Sequence, residues 1–423
     1  MSDLVQKDAA LIWHPFTPLV GNDDPLLVKS AEGIYLHLTD GRKVIDAVSS
    51  WWVNLHGHSH PHIVKALQSQ IAELDHVIFA GFTHEPAIKL AENLLMILPA
   101  NQSKVFFSDN GSTAVEVALK MSFQFWTNQG IARKKVIAIE GSYHGDTVGA
   151  MSVGSRGMFT APFDPYLFDV LFIDFPISGS KTVEQFSTLV HNNEIGAFIF
   201  EPLVQGAGGM RMYSPQILDE LIRIARSNGV VCIADEVFTG FGRTGKMFAS
   251  DYLDEKPDII CISKGITGGT MPLGVTSCSE KIIKAFTDAD FSKTFFHGHS
   301  YTGNPLACAV ANASYELLVS ETCQQQIRAI GNLHEEFALT LKSHPRVKEA
   351  RSLGTILAIE LHTLEGTSYA NEMRKSIYSF FMSRDILLRP LGNIIYMLPP
   401  YCITAAELNR IYRCIEEFLD QLG

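Results

Sequence analysis

Five short apolar runs, rich in β-branched residues and stopped by Gly, Pro or an acidic residue, limit what this chain can fold into. They lie at 135–140, 170–175, 197–201, 230–236 and 259–263. None alternates apolar with polar residues as a strand facing water on one side does, so each reads as a strand buried on both faces. Helical stretches such as 215–227 separate some of them, which predicts βαβ crossovers and a mostly parallel sheet. Upstream, 89–98 reads as helix, 104–107 as a short strand and 112–126 as a long helix with Val115, Ala118, Leu119 and Ser122 on one side.

The pattern changes after about residue 320. A long helix over 321–343 is followed by strand-like 355–361, a helix near 370–384, strand-like 394–397 and a last helix over 405–422. The expected fold is therefore α/β, with a large domain over 60–320 whose mostly parallel central sheet is flanked by helices. A smaller α+β domain is expected from both chain ends, 1–59 and 321–423. At 423 residues, a chain of this size buries roughly 75% of its unfolded surface and needs no covalent staples.

The formal net charge of −11 argues against a nucleic-acid or anionic-membrane partner, because a polyanion is repelled. The seven cysteines are odd in number and none forms a CxxC pair, which suits reduced, buried thiols better than a disulfide framework. The N-terminus lacks the apolar core of a signal peptide, and no run of about 18 apolar residues offers a membrane span. A cytoplasmic enzyme is the expectation.

Two signals mislead. Gly240, Gly242 and Gly245 match a dinucleotide fingerprint after a strand, which keeps a nucleotide-binding oxidoreductase as an alternative of a different class. Yet Asp235 and Glu236 stand where they would repel a pyrophosphate, and Pro257 leaves little room for a phosphate-binding helix. A tight turn is the better reading. His56, His58, His60 and His62 alternate as metal ligands on a strand would, but Gly57 and Pro61 break the strand. A polar turn without metal is expected.

A stronger constellation comes from four places. The small residues around Gly111 and Ser112 begin the long helix, where free backbone N–H groups hold a phosphate and Ser112 or Thr113 can cap. Tyr143 follows a strand at its carboxyl end, where ligands of open α/β sheets bind. Asp235 ends a very apolar run, and a carboxylate there calls for a cationic partner. Lys264 follows another apolar run and precedes glycines, a setting that lowers an amine's pKa and suits a Schiff-base nucleophile. A phosphate cradle, an aromatic, an acid and an amine together describe a site for pyridoxal phosphate.

The order Gly111–Ser112, Tyr143–His144–Gly145, Asp235–Glu236–Val237, the 240–246 loop and Ser263–Lys264–Gly265 resembles the class III aminotransferases, of pyridoxal-phosphate fold type I. The stretches 12–15, 49–52, 205–213, 267–271 and 397–401 resemble the biotin-pathway branch of that class. The resemblance implies transamination of 8-amino-7-oxononanoate, with S-adenosylmethionine as amino donor; lysine as donor, or another ω-amino acid or diamine substrate, stay open. It implies that Lys264 carries the cofactor and shuttles the proton, and that Asp235 pairs with the ring nitrogen. Gly111 and Ser112 would take the phosphate, while Tyr143 and Val237 would sandwich the ring. Trp51, Trp52 and Tyr143 would wall the substrate pocket, and Arg389 would read the substrate carboxylate. Gly298, His299 and Ser300 would reach the site of a partner subunit, implying a homodimer with shared active sites. The chain departs from the family at Phe16, where a tyrosine is common, and at His299–Ser300, where Pro-Thr is usual.

Overall fold

Seven strands form the central sheet of the computed structural model, which describes residues 3–21, 23–177, 179–191 and 194–422. Across the sheet they run Gln102–Ser108, Gly274–Ser279, Ile259–Ile262, Val231–Asp235, Ile195–Phe200, Lys135–Ile139 and Val170–Ile173. Only Gly274–Ser279 opposes the others, pairing antiparallel with both of its neighbours; the pairs from Ile259–Ile262 outward are parallel. All five apolar runs are strands of this sheet, and Ile195–Phe200, Val231–Asp235 and Ile259–Ile262 are buried at every position.

Helices close both faces because their apolar stripes need cover. Gly111–Asn128 buries Val115, Ala118, Leu119 and Ser122, the side expected from sequence. Pro215–Ser227 buries Leu218, Leu221, Ile222 and Ala225, starting at a Ser214 cap with proline in its first turn. Each buried Val, Leu or Ile side chain among them contributes about 1.5–3 kcal/mol on leaving water.

The ends of the chain meet in a second group of sheets. Lys43–Asp46 pairs antiparallel with Tyr35–Leu38 and parallel with Ile386–Leu387. Val347–Leu353, Ile356–Leu361 and Ile394–Met397 form an antiparallel sheet, covered in part by Glu321–Thr340 and Ala405–Gln421.

Several elements escape the sequence reading, three of them instructive. Gly274–Ser279 is rich in Gly, Thr and Ser, yet fully buried. Val347–Leu353 carries charges on a half-exposed edge. Pro305–Leu318 is a mainly small-residue helix packed in the core. The helix expected near 370–384 spans Met373–Met382, and the one expected at 89 begins at Glu85 behind an unusual cap, the His84 ring accepting from Ala87 N–H. All seven cysteines are free, five of them buried. Among the described residues no helix is long and apolar enough to cross a membrane.

Candidate active site

A cavity of about 620 Å³ opens where the parallel strands end. Successive carboxyl ends deliver Tyr143, Glu201, Asp235 and Lys264 to its wall, the location that open α/β sheets reserve for ligands. Gly111, Ser112, Val237 and Trp52, which the sequence also singled out, line the same cavity, whereas Phe16, Trp51 and Arg389 do not.

The helix that starts at Gly111 faces the cavity with its amino end. Its cap is Asn110, not Ser112 or Thr113 as expected: Asn110 Oδ1 accepts from Thr113 N–H at 3.0 Å, and Thr113 Oγ1 accepts from Asn110 N–H at 3.0 Å. The helix begins one residue earlier than the sequence suggested, which puts Ser112 inside the first turn. Ser112 Oγ accepts from Asp146 N–H instead. The first-turn N–H groups of Gly111 and Ser112 have no acceptor within a helix and sit at its positive end, a setting for an anion.

Asp235 is buried, and within the chain its carboxylate is bonded by a histidine that the sequence did not point to. His144 Nδ1 lies 2.7 Å from Asp235 Oδ2, and Asp235 Oδ1 accepts from Val237 N–H at 3.1 Å. With an ionised carboxylate, His144 donates through Nδ1–H. His144 Nε2 and Thr147 Oγ1, buried polar atoms of cavity-lining residues, have no partner among the described residues.

Glu201 was missed by sequence reading, although it ends a wholly buried strand much as Asp235 does. Its carboxylate accepts from Tyr143 N–H at 3.0 Å and Gly206 N–H at 2.9 Å. Burial pushes it up to about 7, with the charge of His144 opposing and that of Asp235 reinforcing the rise.

Lys264 has φ 45°, a left-handed value that few non-glycine residues adopt. Burial pushes its ammonium down to about 8, although the charges of Asp235 and Glu201 act to raise it. Its Nζ lies 4.5 Å from the centre of the Trp52 ring, whose Nε1–H donates to Tyr396 Oη. Tyr143 lines the same cavity, its hydroxyl held in the neutral form by burial and by neighbouring Asp146. A carboxylate, a soft amine, an anion-accepting helix end and unpartnered buried polar atoms fit pyridoxal phosphate.

Phe16 and Arg389 gather around Trp51. The Arg389 guanidinium lies 4.7 Å from the Trp51 ring centre, and Phe16 meets Trp51 edge-on at 5.7 Å. Trp51 and Arg389 line a second cavity, of about 700 Å³, beside the N-terminal segment. Gly298, His299 and Ser300 do not line the 620 Å³ cavity of their own chain; Gly298 and Ser300 are exposed.

The misleading signals resolve into architecture. Glu236 lies buried beneath the 240–245 loop and accepts from Thr239 Oγ1 and from the N–H groups of Ala249 and Ser250. No α-helix follows Gly245 before the strand at Ile259, while Gly242 and Gly245 take positive φ as a tight turn requires. The histidines separate: His56 bonds Ser314, His58 bonds Asp46, His60 caps the helix Pro61–Glu73, and His62 pairs with Glu316.

A match to the family described as aminotransferase class-III covers residues 20–419. The chain is 48% identical to the adenosylmethionine-8-amino-7-oxononanoate aminotransferase of Synechococcus elongatus over 97% of its own length and 99% of the relative's. It is 36% identical to the Helicobacter pylori protein of that name, covering 99% and 98%. Among solved structures, the Methanocaldococcus jannaschii enzyme of that name superposes with a TM-score of 0.93 at 35% identity, covering 99% and 98%. An amine transaminase from an uncultivated Pseudomonas species, in its PLP-bound form, gives 0.92 at 30%, covering 98% and 99%. With the lysine and the buried acid brought to one cavity at the strand ends, this chain belongs to the class-III aminotransferases.

Proposed function

We propose that the protein transfers an amino group to the ketone of 8-amino-7-oxononanoate, giving 7,8-diaminononanoate, with pyridoxal phosphate as cofactor and S-adenosylmethionine as donor. The observation that carries the chemistry is the meeting of Lys264 and Asp235 in one cavity beneath a free helix end. The substrate rests on the full-length relatives that bear this activity in their names.

Pyridoxal phosphate supplies an aldehyde for amines and a protonated ring that accepts electrons. Asp235 holds the proton on the ring nitrogen, and His144 orients the carboxylate through its Nδ1–H. The N–H groups of Gly111 and Ser112 bind the phosphate. Tyr143 and Val237 orient the ring from its two faces. Lys264 Nζ, softened by burial, would hold the aldehyde until the donor's amine displaces it, and the freed amine would then move the proton at the substrate's reacting carbon, a local transfer rather than a bimolecular one. Trp52 excludes water from that amine, and Arg389 reads a carboxylate with two parallel N–H groups. The working form is a cytoplasmic homodimer in which Gly298, His299 and Ser300 complete the partner's phosphate site.

The test is a donor panel. Purified protein loaded with cofactor receives the keto substrate with either S-adenosylmethionine or lysine. Diamine with S-adenosylmethionine supports the reading, diamine with lysine alone corrects the donor, and none with either overturns the substrate.

A further inference from the structure

The turn that presents the two tryptophans is held against its own preferences. Ser49, Ser50 and Trp52 have φ of 51°, 61° and 69°, and Ser50 combines its φ with ψ −77°. That combination is the rarer, strained form of γ-turn, and such conformations persist only where surrounding contacts over-determine them. Ser49 Oγ donates to Leu398 O and Arg243 to Trp52 O, but the contacts at Ser50 converge on one carboxylate outside both cavities. Asp46, wholly buried, accepts from Ser50 N–H at 2.7 Å, Ser50 Oγ at 3.0 Å, Val48 N–H at 3.3 Å and His58 Nε2 at 2.9 Å. His58 is steadied in turn by Asn54 at its Nδ1.

The same residue ties the turn to the substrate side. Asp46 is register partner to Leu387, and Ala47 N–H donates to Leu387 O. Arg389 stands two residues beyond. The strand end that holds the turn thereby also sets the distance between Trp51 and the Arg389 guanidinium.

We infer that Asp46 is a positioning residue: its carboxylate keeps the Ser49–Trp52 turn strained, and so fixes Trp52 over Lys264 and Trp51 under Arg389. The inference rests on the proposed function for its link to substrate. Removing the charge at constant size leaves the serines free to relax, which misplaces both rings without touching the groups that carry the proton.

The test compares wild type, Asp46→Asn and Asp46→Asn/Ser50→Gly. Asp46→Asn is expected to raise KM for the keto substrate about tenfold while kcat changes less than about threefold. Its near-ultraviolet circular dichroism from tryptophan should weaken. Ser50→Gly should restore both in the double variant, because glycine adopts this φ without penalty. An unchanged KM and spectrum, or a loss confined to kcat and thermal stability, overturns the inference. Should Asp46→Asn not fold, His58→Ala removes one donor and leaves the carboxylate; it is expected to raise KM about threefold, and an unchanged KM overturns the inference. If wild type itself fails to aminate the keto substrate, the functional reading falls, and the tryptophan spectra with their rescue still decide whether Asp46 holds the turn.

Discussion

His144 Nδ1 and Asp235 Oδ2 meet at 2.7 Å, with both side chains shut away from water. A buried carboxylate held this way cannot turn or solvate itself, so its charge is aimed at whatever occupies the cavity. Asp235→Asn keeps the shape and removes the charge. Single-turnover kinetics should show amino transfer slowed by about a thousandfold or more, with far-ultraviolet circular dichroism unchanged. An unaltered rate would make the carboxylate structural.

Lys264 should be the protein's anomalous amine. In cofactor-free protein, its acylation by an amine reagent, followed by peptide mass spectrometry, is expected to rise with pH and level off above about 8. Exposed lysines should keep rising toward their ordinary value near 10.5. The sign for stability follows. Between about 8 and 10.5 the unfolded chain binds the proton and the folded chain does not, so cofactor-free protein gains stability as pH rises through that window. Lys264→Ala should remove the gain, abolish turnover and eliminate the imine absorbance of the loaded protein.

Gly111 is kept small by Val237. A Cβ there would fall 2.6 Å from Val237 Cγ1, and both residues line the cavity. The contact is with side-chain methyls and not with backbone, so Gly111→Ala should fold with Val237 displaced, while binding pyridoxal phosphate about tenfold more weakly. Equilibrium dialysis measures the loss; unchanged affinity would mean that the valine's placement does not matter.

Gly354 offers no such escape. Its φ is 57°, and a Cβ would meet Gly245 N at 2.1 Å and Thr244 C at 2.2 Å, backbone in both cases. Gly354→Ala is expected to cost more than about 4 kcal/mol, read from urea unfolding or from loss of folded protein. A near-native midpoint would show that the 240–245 loop is free to move.

What the sequence made legible follows from where the information sits. Apolar runs such as Val231–Asp235 announce themselves because every position is buried, and the acid at their end stands out against them. Lys264 is visible for the same reason. Glu201 could have been found by that logic, since it also ends a wholly buried strand. Gly274–Ser279 could not, because small polar residues satisfied inside a sheet look like loop: Ser277 Oγ donates to Gln102 and Thr276 Oγ1 to Ala114 O. His144 as the partner of Asp235 was equally hidden, for the two are separated by 91 positions and meet only through strand order. Asn110 is hidden as cap because a glycine, a poor helix former, occupies the first helical position and makes Ser112 look like the start.

The central sheet has a last consequence. Asp235 is register partner to Cys261 on the neighbouring parallel strand, and that strand ends at Ile262, two residues before the turn that opens at Lys264. The separation of acid and amine is thus set first by a hydrogen-bonded ladder and then by the short turn that opens at Lys264. Phe16, Trp51 and Arg389 belong to the other group of elements, where the chain ends meet. Diversification at those positions can retune which molecules are admitted while the reacting distance stays constant, as a lathe accepts new tools on an unchanged bed.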